Sequence, residues 1–383
     1  MADNKENRIP NVPHLRFPEF SGEWEETTLG KISEITKGSG ISKDQLSEQG
    51  SPCILYGELY TKYKSEIIGE VYSRTELDSS SLVKSKANDV IIPCSGETAI
   101  DISTARCVPF NNILLGGDLN IIRLKNDDGG FFAYQLNGVR KTDIARVAQG
   151  VSVVHLYGEN LKQITVYNPA IEEQKKITRL LSLIDERIAT QNKIIEKMES
   201  LIKGIAQHCI KESTSGSIYV KLGDICHITT GKLDANAQVD NGIYPFFTCA
   251  EQSYKIDNFA FDTEALLISG NGANLGYINY YKGKFNAYQR TYVLDLFSEN
   301  IQYIKWALKV LLPKRIAIEK SLSNTPYIVL STLTDLRLPL PCKSEQSFIA
   351  NLMQSLEGIL SNQIAQYDSY NYLKQYLLRQ MFI

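Results

Sequence analysis

The 383-residue sequence lacks the features that mark membrane, secreted or metal-binding proteins. No apolar run approaches the roughly 18 residues that a helix needs to span a bilayer, and Met1–Asn7 have no signal-peptide character. The seven cysteines are scattered, odd in number and contain no CxxC pair, and the four histidines do not cluster at ligand spacing. This usage predicts a cytoplasmic protein with reduced thiols, no disulfide framework and no zinc site.

Strong charge of one sign is also missing. The formal net charge is −2, which does not predict strong electrostatic binding to a polyanion by the chain alone. If the ligand is a nucleic acid, basic residues must cluster on one face and partner subunits must supply further contacts. No Ser/His/Asp, Cys/His or paired-carboxylate arrangement is evident, so the sequence offers no catalytic site of these kinds.

What the sequence does contain is an internal repeat. Asn168–Ile177 and Leu340–Ile349 share a proline, a Glu-Gln pair and an isoleucine at the same spacing. Residues 28–38 match residues 221–231 in the same way, whereas the segments between these landmarks diverge. Repetition on this scale predicts one supersecondary unit used twice, and hence a two-headed reader of something bipartite.

Each Glu-Gln pair opens a heptad seam in which the steps alternate between four and three, as is typical of a coiled coil. The first seam is Ile177, Leu181, Ile184, Ile188, Gln191, Ile195, Met198, Ile202 and Ile205. The second is Ile349, Met353, Leu356, Leu360, Gln363, Tyr367, Tyr370, Lys374 and Leu377. The paired glutamines either fix the register or lie at the seam edge. The polar end of the second seam is expected to pack loosely or to face a partner.

These patterns predict an α+β fold in which two α/β-type domains form an internal repeat, each followed by a long helix of coiled-coil character. The predicted segments are a polar tail at 1–23, a first head at 24–170, a first helix at 171–211, a second head at 212–341 and a final helix at 342–383. At about 1.5 Å per residue, each helix of about 40 residues would be about 60 Å long.

Two short motifs permit competing interpretations. Ser269–Gly276 has GxGxxxG spacing, which differs from the dinucleotide fingerprint, so a hairpin turn is favoured over a nucleotide site. The same glycines could instead let the backbone approach DNA closely. Asn324–Tyr327 resembles the Asn/Asp-Pro-Pro-Tyr/Phe tetrapeptide of adenine methyltransferases, but Thr325 replaces the first proline, which favours a structural turn.

Basic and amide side chains interleaved with aromatic residues suit contacts to bases and phosphates. An ordinary β-domain surface explains them equally well. The candidates in the first head are Lys84, Lys86, Arg106, Arg140, Lys141 and Arg146. Those in the second head are Lys232, Asn271, Asn274, Lys282, Lys284 and Arg290.

Taken together, these motifs resemble a known family. The segment Gln149–Leu156, the two helix openings and the N-terminal Leu15–Phe20 with Trp24 are similar to the specificity subunit of Type I restriction–modification systems. The resemblance covers nearly the whole chain, and its helix motifs are more specific as a set than singly.

The resemblance implies that two target recognition domains each read one half of a split, asymmetric sequence in double-stranded DNA. The two long helices would pack antiparallel in a coiled coil, which gives the repeat a pseudo-two-fold axis. They would set the spacing between heads and dock two modification subunits. Two restriction subunits would complete the complex. The chain itself would carry no catalytic residue and no cofactor, since S-adenosylmethionine, ATP and Mg²⁺ would be bound by the partners.

Two other functions stay open at this point. Asn324–Tyr327 motivates a stand-alone N6-adenine DNA methyltransferase. The coiled-coil seams and the near-neutral charge motivate a scaffold protein without recognition activity.

Overall fold

The computed structural model describes residues 10–212, 217–323 and 327–383. The chain divides into two compact units. Unit 1 comprises residues 1–192 and 366–383, and unit 2 comprises residues 193–365. Two long helices, Ile171–Glu212 and Lys343–Gln380, contribute residues to both units.

Unit 1 contains twelve of the described strands and six short helices before the first long helix. The strands are β1 (Glu25–Thr28), β2 (Ser33–Lys37), β3 (Leu46–Ser47), β4 (Ser51–Ile54), β5 (Ser73–Thr75), β6 (Asp89–Pro93), β7 (Ser95–Gly96), β8 (Arg106–Val108), β9 (Leu114–Leu115), β10 (Leu119–Leu124), β11 (Val154–His155) and β12 (Thr165–Asn168). The helices are α1 (Leu29–Ile32), α2 (Glu58–Thr61), α3 (Ala99–Ile102), α4 (Gly129–Asn137), α5 (Lys141–Arg146) and α6 (Gly158–Lys162). The first long helix is α7.

Unit 2 continues the same numbering. Its strands are β13 (Ile218–Lys221), β14 (His227–Thr230), β15 (Tyr244–Phe247), β16 (Tyr254–Ile256), β17 (Phe261–Ser269), β18 (Ile278–Ala287), β19 (Thr291–Asp295) and β20 (Arg337–Leu340). Its helices are α8 (Ile301–Ser323), α9 (Leu330–Thr334) and the second long helix, α10. Short 3-10 turns lie at Lys43–Gln45, Leu222–Asp224 and Ala235–Ala237.

The internal repeat is confirmed by the sheet topology. The strand order β2-β10-β6-β8 in unit 1 matches β14-β19-β17-β18 in unit 2, and all of these pairs are antiparallel. In each unit the opening strand also pairs with the strand before the long helix, as β1 with β12 and β13 with β20. The heads differ in the strands added around this frame, since β15 and β16 extend the sheet only in unit 2.

A glycine ends the repeated segment in both heads for the same steric reason. A Cβ atom on Gly38 would lie 2.0 Å from the carbonyl oxygen of Gly116, and one on Gly231 would lie 1.9 Å from that of Ala287. Both separations are far inside van der Waals contact with backbone, which cannot move aside easily. Both copies of the repeat therefore have glycine at this position, because the end of the strand lies in close contact with the backbone of a neighbouring segment.

The repeated glutamine holds the start of each long helix. Gln174 is fully buried, and its Nε2 donates to the Asp127 and Asn168 side chains at 2.9 and 2.6 Å and to the Pro169 carbonyl at 2.9 Å. Its Oε1 accepts a hydrogen bond from the backbone N–H of Asp128 at 2.8 Å. One side chain thus ties the strand–helix connection to the loop that precedes α4.

Gln346 makes the equivalent contacts in unit 2. Its Nε2 donates to Glu299 at 2.9 Å and to the Pro341 carbonyl at 3.0 Å. Its Oε1 accepts from the backbone N–H of Asn300 at 3.1 Å. We call these two sets of contacts, centred on Gln174 and Gln346, the glutamine joints.

Each glutamine joint also fixes the N-terminus of a head helix. Asp128 accepts a hydrogen bond from the N–H of Phe131 at 2.8 Å, and so caps α4. Asn300 accepts from the N–H of Tyr303 at 3.1 Å and caps α8 in the same way. The backbone N–H of each capping residue is the one that the glutamine binds. The orientation of a head helix is therefore coupled to the start of its long helix.

The two long helices pair through the predicted seams. In unit 1, one hydrophobic core contains Ile177, Leu181 and Ile184 of α7 together with Leu377 and Leu378 of α10. In unit 2, a second core contains Ile202, Ala206, Ile210, Ile349 and Met353. The beginning of α7 thus packs with the end of α10 in unit 1, and the end of α7 with the beginning of α10 in unit 2. This order of contacts is antiparallel, as predicted.

The remaining predicted seam residues are less uniform. Ile188 packs partly buried against the core of unit 1, and Leu356 and Leu360 do so against that of unit 2. Gln191 is buried, whereas Gln363 is half-buried. The two repeat-related glutamines therefore occupy different environments.

The polar end of the second seam is not loosely packed. Lys374 is 8 % exposed, and its ammonium group lies 2.5 Å from Glu66 and 2.6 Å from Asp185. The Tyr134 hydroxyl donates to the other oxygen of Asp185 at 2.7 Å. A buried charge needs partners of opposite sign, and here they come from the first head and from α7. We call these four side chains the charge cluster.

The described part of the N-terminal tail, residues 10–23, packs against the rest of unit 1. Arg16 forms a bidentate ion pair with the buried Glu173, with both N···O distances at 2.7 Å. The ring of Phe17 lies under the ammonium group of Lys176 at 4.6 Å. The N–H of Leu15 donates to a backbone carbonyl near the end of α10 at 2.8 Å. The first glutamate of the repeat thus anchors the tail, whereas its counterpart Glu345 is exposed.

Gln174→Leu is expected to destabilise unit 1. The substitution leaves the Asp128 N–H and the Pro169 carbonyl without their partner, and an unsatisfied buried polar group costs about 1–3 kcal/mol. For a unit of this size the thermal midpoint should fall by roughly 2–10 °C. Gln207→Leu, on the exposed face of α7, is the matched control. Equal midpoints for the two variants in calorimetry would contradict a structural role for the joint.

Asp185 should make unit 1 less stable as pH rises. Burial and the nearby Glu66 raise the pKa of Asp185 from 3.8 to about 6, against the opposing effect of Lys374. The folded state therefore holds the proton more tightly than the unfolded state. This contribution to the free energy of unfolding is complete below about pH 4 and is lost as pH rises through about 6, by an amount on the order of 1–3 kcal/mol.

Chemical unfolding of the wild type and of Asp185→Asn between pH 4 and 8 measures this effect. We expect the wild type to lose stability relative to the variant across that range. Tyr134→Phe, which keeps the carboxyl group, should retain the loss. If the wild type instead gained stability relative to Asp185→Asn as pH rose, attraction to Lys374 would outweigh burial in setting the pKa of Asp185.

Candidate nucleic-acid interface

A polar cleft of about 510 Å³ lies in unit 1, where two of the predicted first-head residues come together. Its lining combines residues from the first head with three from the end of α10: Tyr60, Lys64, Glu66, Asp101, Thr104, Arg106, Asn137, Gly138, Val139, Lys141, Gln375, Leu378 and Arg379. We call it the basic cleft. Arg106 and Lys141 were predicted from sequence, whereas Lys64 and Arg379 were not.

The structure assigns Arg106 to the wall of the basic cleft rather than to an exposed surface. The side chain is buried, and its guanidinium donates to the carbonyls of Leu59 at 3.1 Å and Tyr63 at 2.8 Å. Burial lowers the pKa of Arg106. Burial also lowers the pKa of Lys141, with a further contribution from Arg106, and the Lys141 ammonium group contacts the Thr104 hydroxyl at 3.4 Å.

The other first-head candidates are dispersed. Lys84 and Lys86 are exposed near β6 and outside the cleft. Arg140 is mostly buried, donates to a main-chain carboxyl oxygen of Ile383 at 2.7 Å and lies 5.0 Å above the ring of Tyr167, so its contacts are structural. The Arg146 side chain is 77 % exposed and forms an ion pair with Asp143 at 2.9 Å. These four side chains do not form one cluster with the cleft.

In unit 2, the glycine-rich segment is the hairpin turn between β17 and β18, as the sequence favoured. Gly272 and Gly276 have φ values of +79° and +83°, which glycine adopts without strain. Asn271 pairs with Tyr327 in an isolated β-bridge. The Asn274 amide donates to the carbonyl of Cys249 at 3.1 Å.

Four of the predicted second-head residues lie at this end of the sheet. The N–H of Gly270 donates to the Arg290 carbonyl at 2.8 Å, which places the β18–β19 turn beside the glycine hairpin. Leu233 pairs with Tyr288 of that turn, which brings the preceding Lys232 to the same end. We call this group the loop cluster: Lys232, Asn271, Asn274, Arg290 and Tyr327. Tyr327 was missed as a binding candidate because its motif pointed to different chemistry.

Lys282 and Lys284 are not part of the loop cluster. They lie further along β18, where Lys282 faces Glu264 at 3.6 Å and Lys284 lies 4.6 Å above the ring of Phe259. Because each residue along a strand adds about 3.4 Å, these positions of β18 lie away from the hairpin turn although they are close to it in sequence.

Most of the methyltransferase-like motif lies outside the part of the chain that the structure describes. Asn324–Pro326 lie outside the described residues, and only Tyr327 is described, at 46 % exposure. Within the described part of the chain, no three His, Cys, Asp or Glu side chains are grouped so as to hold a metal ion. Among the same residues, no helix is long and apolar enough to cross a membrane.

Comparison with known proteins identifies the family. The family described as "Type I restriction modification DNA specificity domain" matches residues 21–200 and again residues 215–367. The two matches together cover most of the chain, and each covers one head and the adjoining part of a long helix.

Two curated relatives illustrate how similarity is distributed. The type I restriction enzyme EcoDI specificity subunit of Escherichia coli is 44 % identical over 137 residues, a match that spans 36 % of this chain and 30 % of that protein. The MjaVIII specificity subunit of Methanocaldococcus jannaschii is 23 % identical over 410 aligned positions, covering 93 % of this chain and 90 % of the relative.

Solved structures share the fold across nearly the full length. The S subunit of the type I restriction–modification system from M. genitalium superposes with a TM-score of 0.67 at 18 % identity, covering 97 % of this chain and 99 % of that one. A chain from a structure of type I restriction–modification complex assembly superposes with a TM-score of 0.57 at 17 % identity, covering 94 % and 97 %. With both of its heads matched by the family description, this chain belongs to the type I restriction–modification specificity-subunit family.

Proposed function

We propose that the chain is the non-catalytic DNA-recognition subunit of a type I restriction–modification complex. Each head reads one half of a bipartite target, and the paired helices set the distance between the halves. The observation that carries the proposal is the duplicated frame with different heads. The same strand order and the same glutamine joint occur in both units, while the surfaces that could meet a ligand differ.

The two heads offer different chemistry to DNA. Unit 1 presents the basic cleft, and unit 2 presents the loop cluster. Asparagine and arginine are among the side chains that form bidentate hydrogen bonds to adenine and guanine edges in the major groove. The glycine hairpin lets the backbone of unit 2 approach a ligand closely. Because the heads present different side chains, the two half-sites are expected to differ in sequence.

The net charge and the surface of the long helices support the proposal of partner subunits. A net charge of −2 gives little stand-alone affinity for a polyanion. Large apolar side chains of α7 and α10 are exposed at Leu183, Ile194, Leu201, Phe348, Ile359, Ile364, Tyr372, Leu373 and Tyr376. Exposed apolar surface of this kind on a helix suits docking of another protein. The occupants we propose are two modification subunits, one for each copy of the repeat.

Catalysis belongs to the partners in this proposal. The modification subunits would bind S-adenosylmethionine and methylate adenine, and two restriction subunits would use ATP and Mg²⁺. The chain's own residues would select the site and hold the partners. The free thiols of all seven cysteines suit a cytoplasmic location for the complex.

Methylation mapping tests the proposal. Cells that carry this chain and its modification subunit should show N6-methyladenine at one split, asymmetric motif. Deletion of this chain should abolish methylation at that motif and leave other methylation unchanged. Re-expression of the chain should restore the same motif.

The control is a deletion of the modification subunit, which should remove the same motif as deletion of this chain. An unchanged methylome after deletion of this chain, with the modification subunit present and expressed, would contradict the recognition function.

A further inference from the structure

The basic cleft contains more positive charge than its own carboxylates neutralise. Among the described residues, no carboxylate lies within the 4.0 Å ion-pair distance of Lys64, Arg106, Lys141 or Arg379. Glu66 also lines the cleft and lies 2.5 Å from the ammonium group of Lys374, which it shares with Asp185. The remaining carboxylate in the lining is Asp101.

The formal charges around the cleft do not cancel. The cations are Lys64, Arg106, Lys141 and Arg379 in the lining and Lys374 behind it, and the anions are Glu66, Asp101 and Asp185. The balance is about two positive charges. Burial lowers the pKa values of Arg106 and Lys141, and the positive charge of Arg106 lowers that of Lys141 further.

From this arrangement we infer that the basic cleft binds a phosphate group. A phosphate accepts several hydrogen bonds at once, and the cleft combines ammonium and guanidinium donors with the hydroxyls of Tyr60 and Thr104. Lys64 and Arg379 are exposed at its surface, so a ligand can reach them from solvent. A volume of about 510 Å³ accommodates a phosphate that is attached to a larger molecule.

The inference rests on the proposed function where the phosphate belongs to the DNA backbone, and is independent of it where the phosphate is free. In the first case, Arg379 gives the second long helix a direct contact with DNA beside the first head. Phosphate contacts fix the register of a protein on the duplex without reading bases. The cleft would then position the first head on the duplex, while other parts of that head would read the bases.

The experiment uses the complex of this chain with its modification subunit, in wild-type form and with Lys64→Ala and Arg379→Ala combined. Lys43→Ala, an exposed lysine of the same head outside the cleft, is the matched control. Duplex affinity is measured across a range of salt concentrations on target and non-target DNA. Thermal unfolding without DNA is measured in inorganic phosphate and in chloride of equal ionic strength.

If the cleft binds backbone phosphate, duplex binding by the double variant should depend less on salt. The slope of log K against log salt should become shallower by about 0.9 for each phosphate contact that the variant loses. The loss should be equal on target and non-target DNA. If it binds free phosphate, phosphate should raise the unfolding temperature of the wild type and of Lys43→Ala but not of the double variant. Either result supports the inference and identifies the source.

The inference is overturned if the double variant behaves as Lys43→Ala in both measurements. The same titrations test the proposed function separately. If the wild-type complex binds the target motif no better than other duplexes, the recognition function fails, whatever the cleft variants do.

Discussion

The glutamine joints are the constraint on which the rest of the structure depends. One buried amide side chain in each unit binds the carbonyl before the long helix and the N–H of the residue that caps a head helix. Losing these bonds would leave buried polar groups without partners, which costs more than a typical hydrogen bond contributes. Because both joints use the same atoms, the two heads attach to their helices by the same local geometry.

A fixed attachment permits variable heads. The strands that pair around the joint, the glycine at the end of each repeated segment and the antiparallel seams recur in both units. The residues between these landmarks form a basic cleft in one head and a glycine-hairpin loop cluster in the other. The charge cluster then joins the first head to both long helices through Lys374. A recognition subunit needs this division between a constant frame and variable surfaces.

The repeat and the long helices could be predicted because they depend on local spacing, whereas the antiparallel pairing of the helices was implied by the family resemblance. The hairpin at Ser269–Gly276 was also accessible from its glycines. The binding surfaces were harder to predict, because they depend on which loops the sheet brings together. Lys64 and Arg379 are far apart in sequence yet line one cleft, whereas Lys282 lies close to the hairpin in sequence but outside the loop cluster. The sequence did not indicate that Arg106 and Lys374 are buried, because charged side chains are usually exposed.

The central claim is that each head reads its own half of the target. Exchanging residues 24–170 for the corresponding head of a family member with a different known target, followed by methylation mapping, tests it most directly. The account predicts that one half of the split motif changes, while the other half and the spacing stay the same. Retention of the original motif, or a change in both halves, would contradict it.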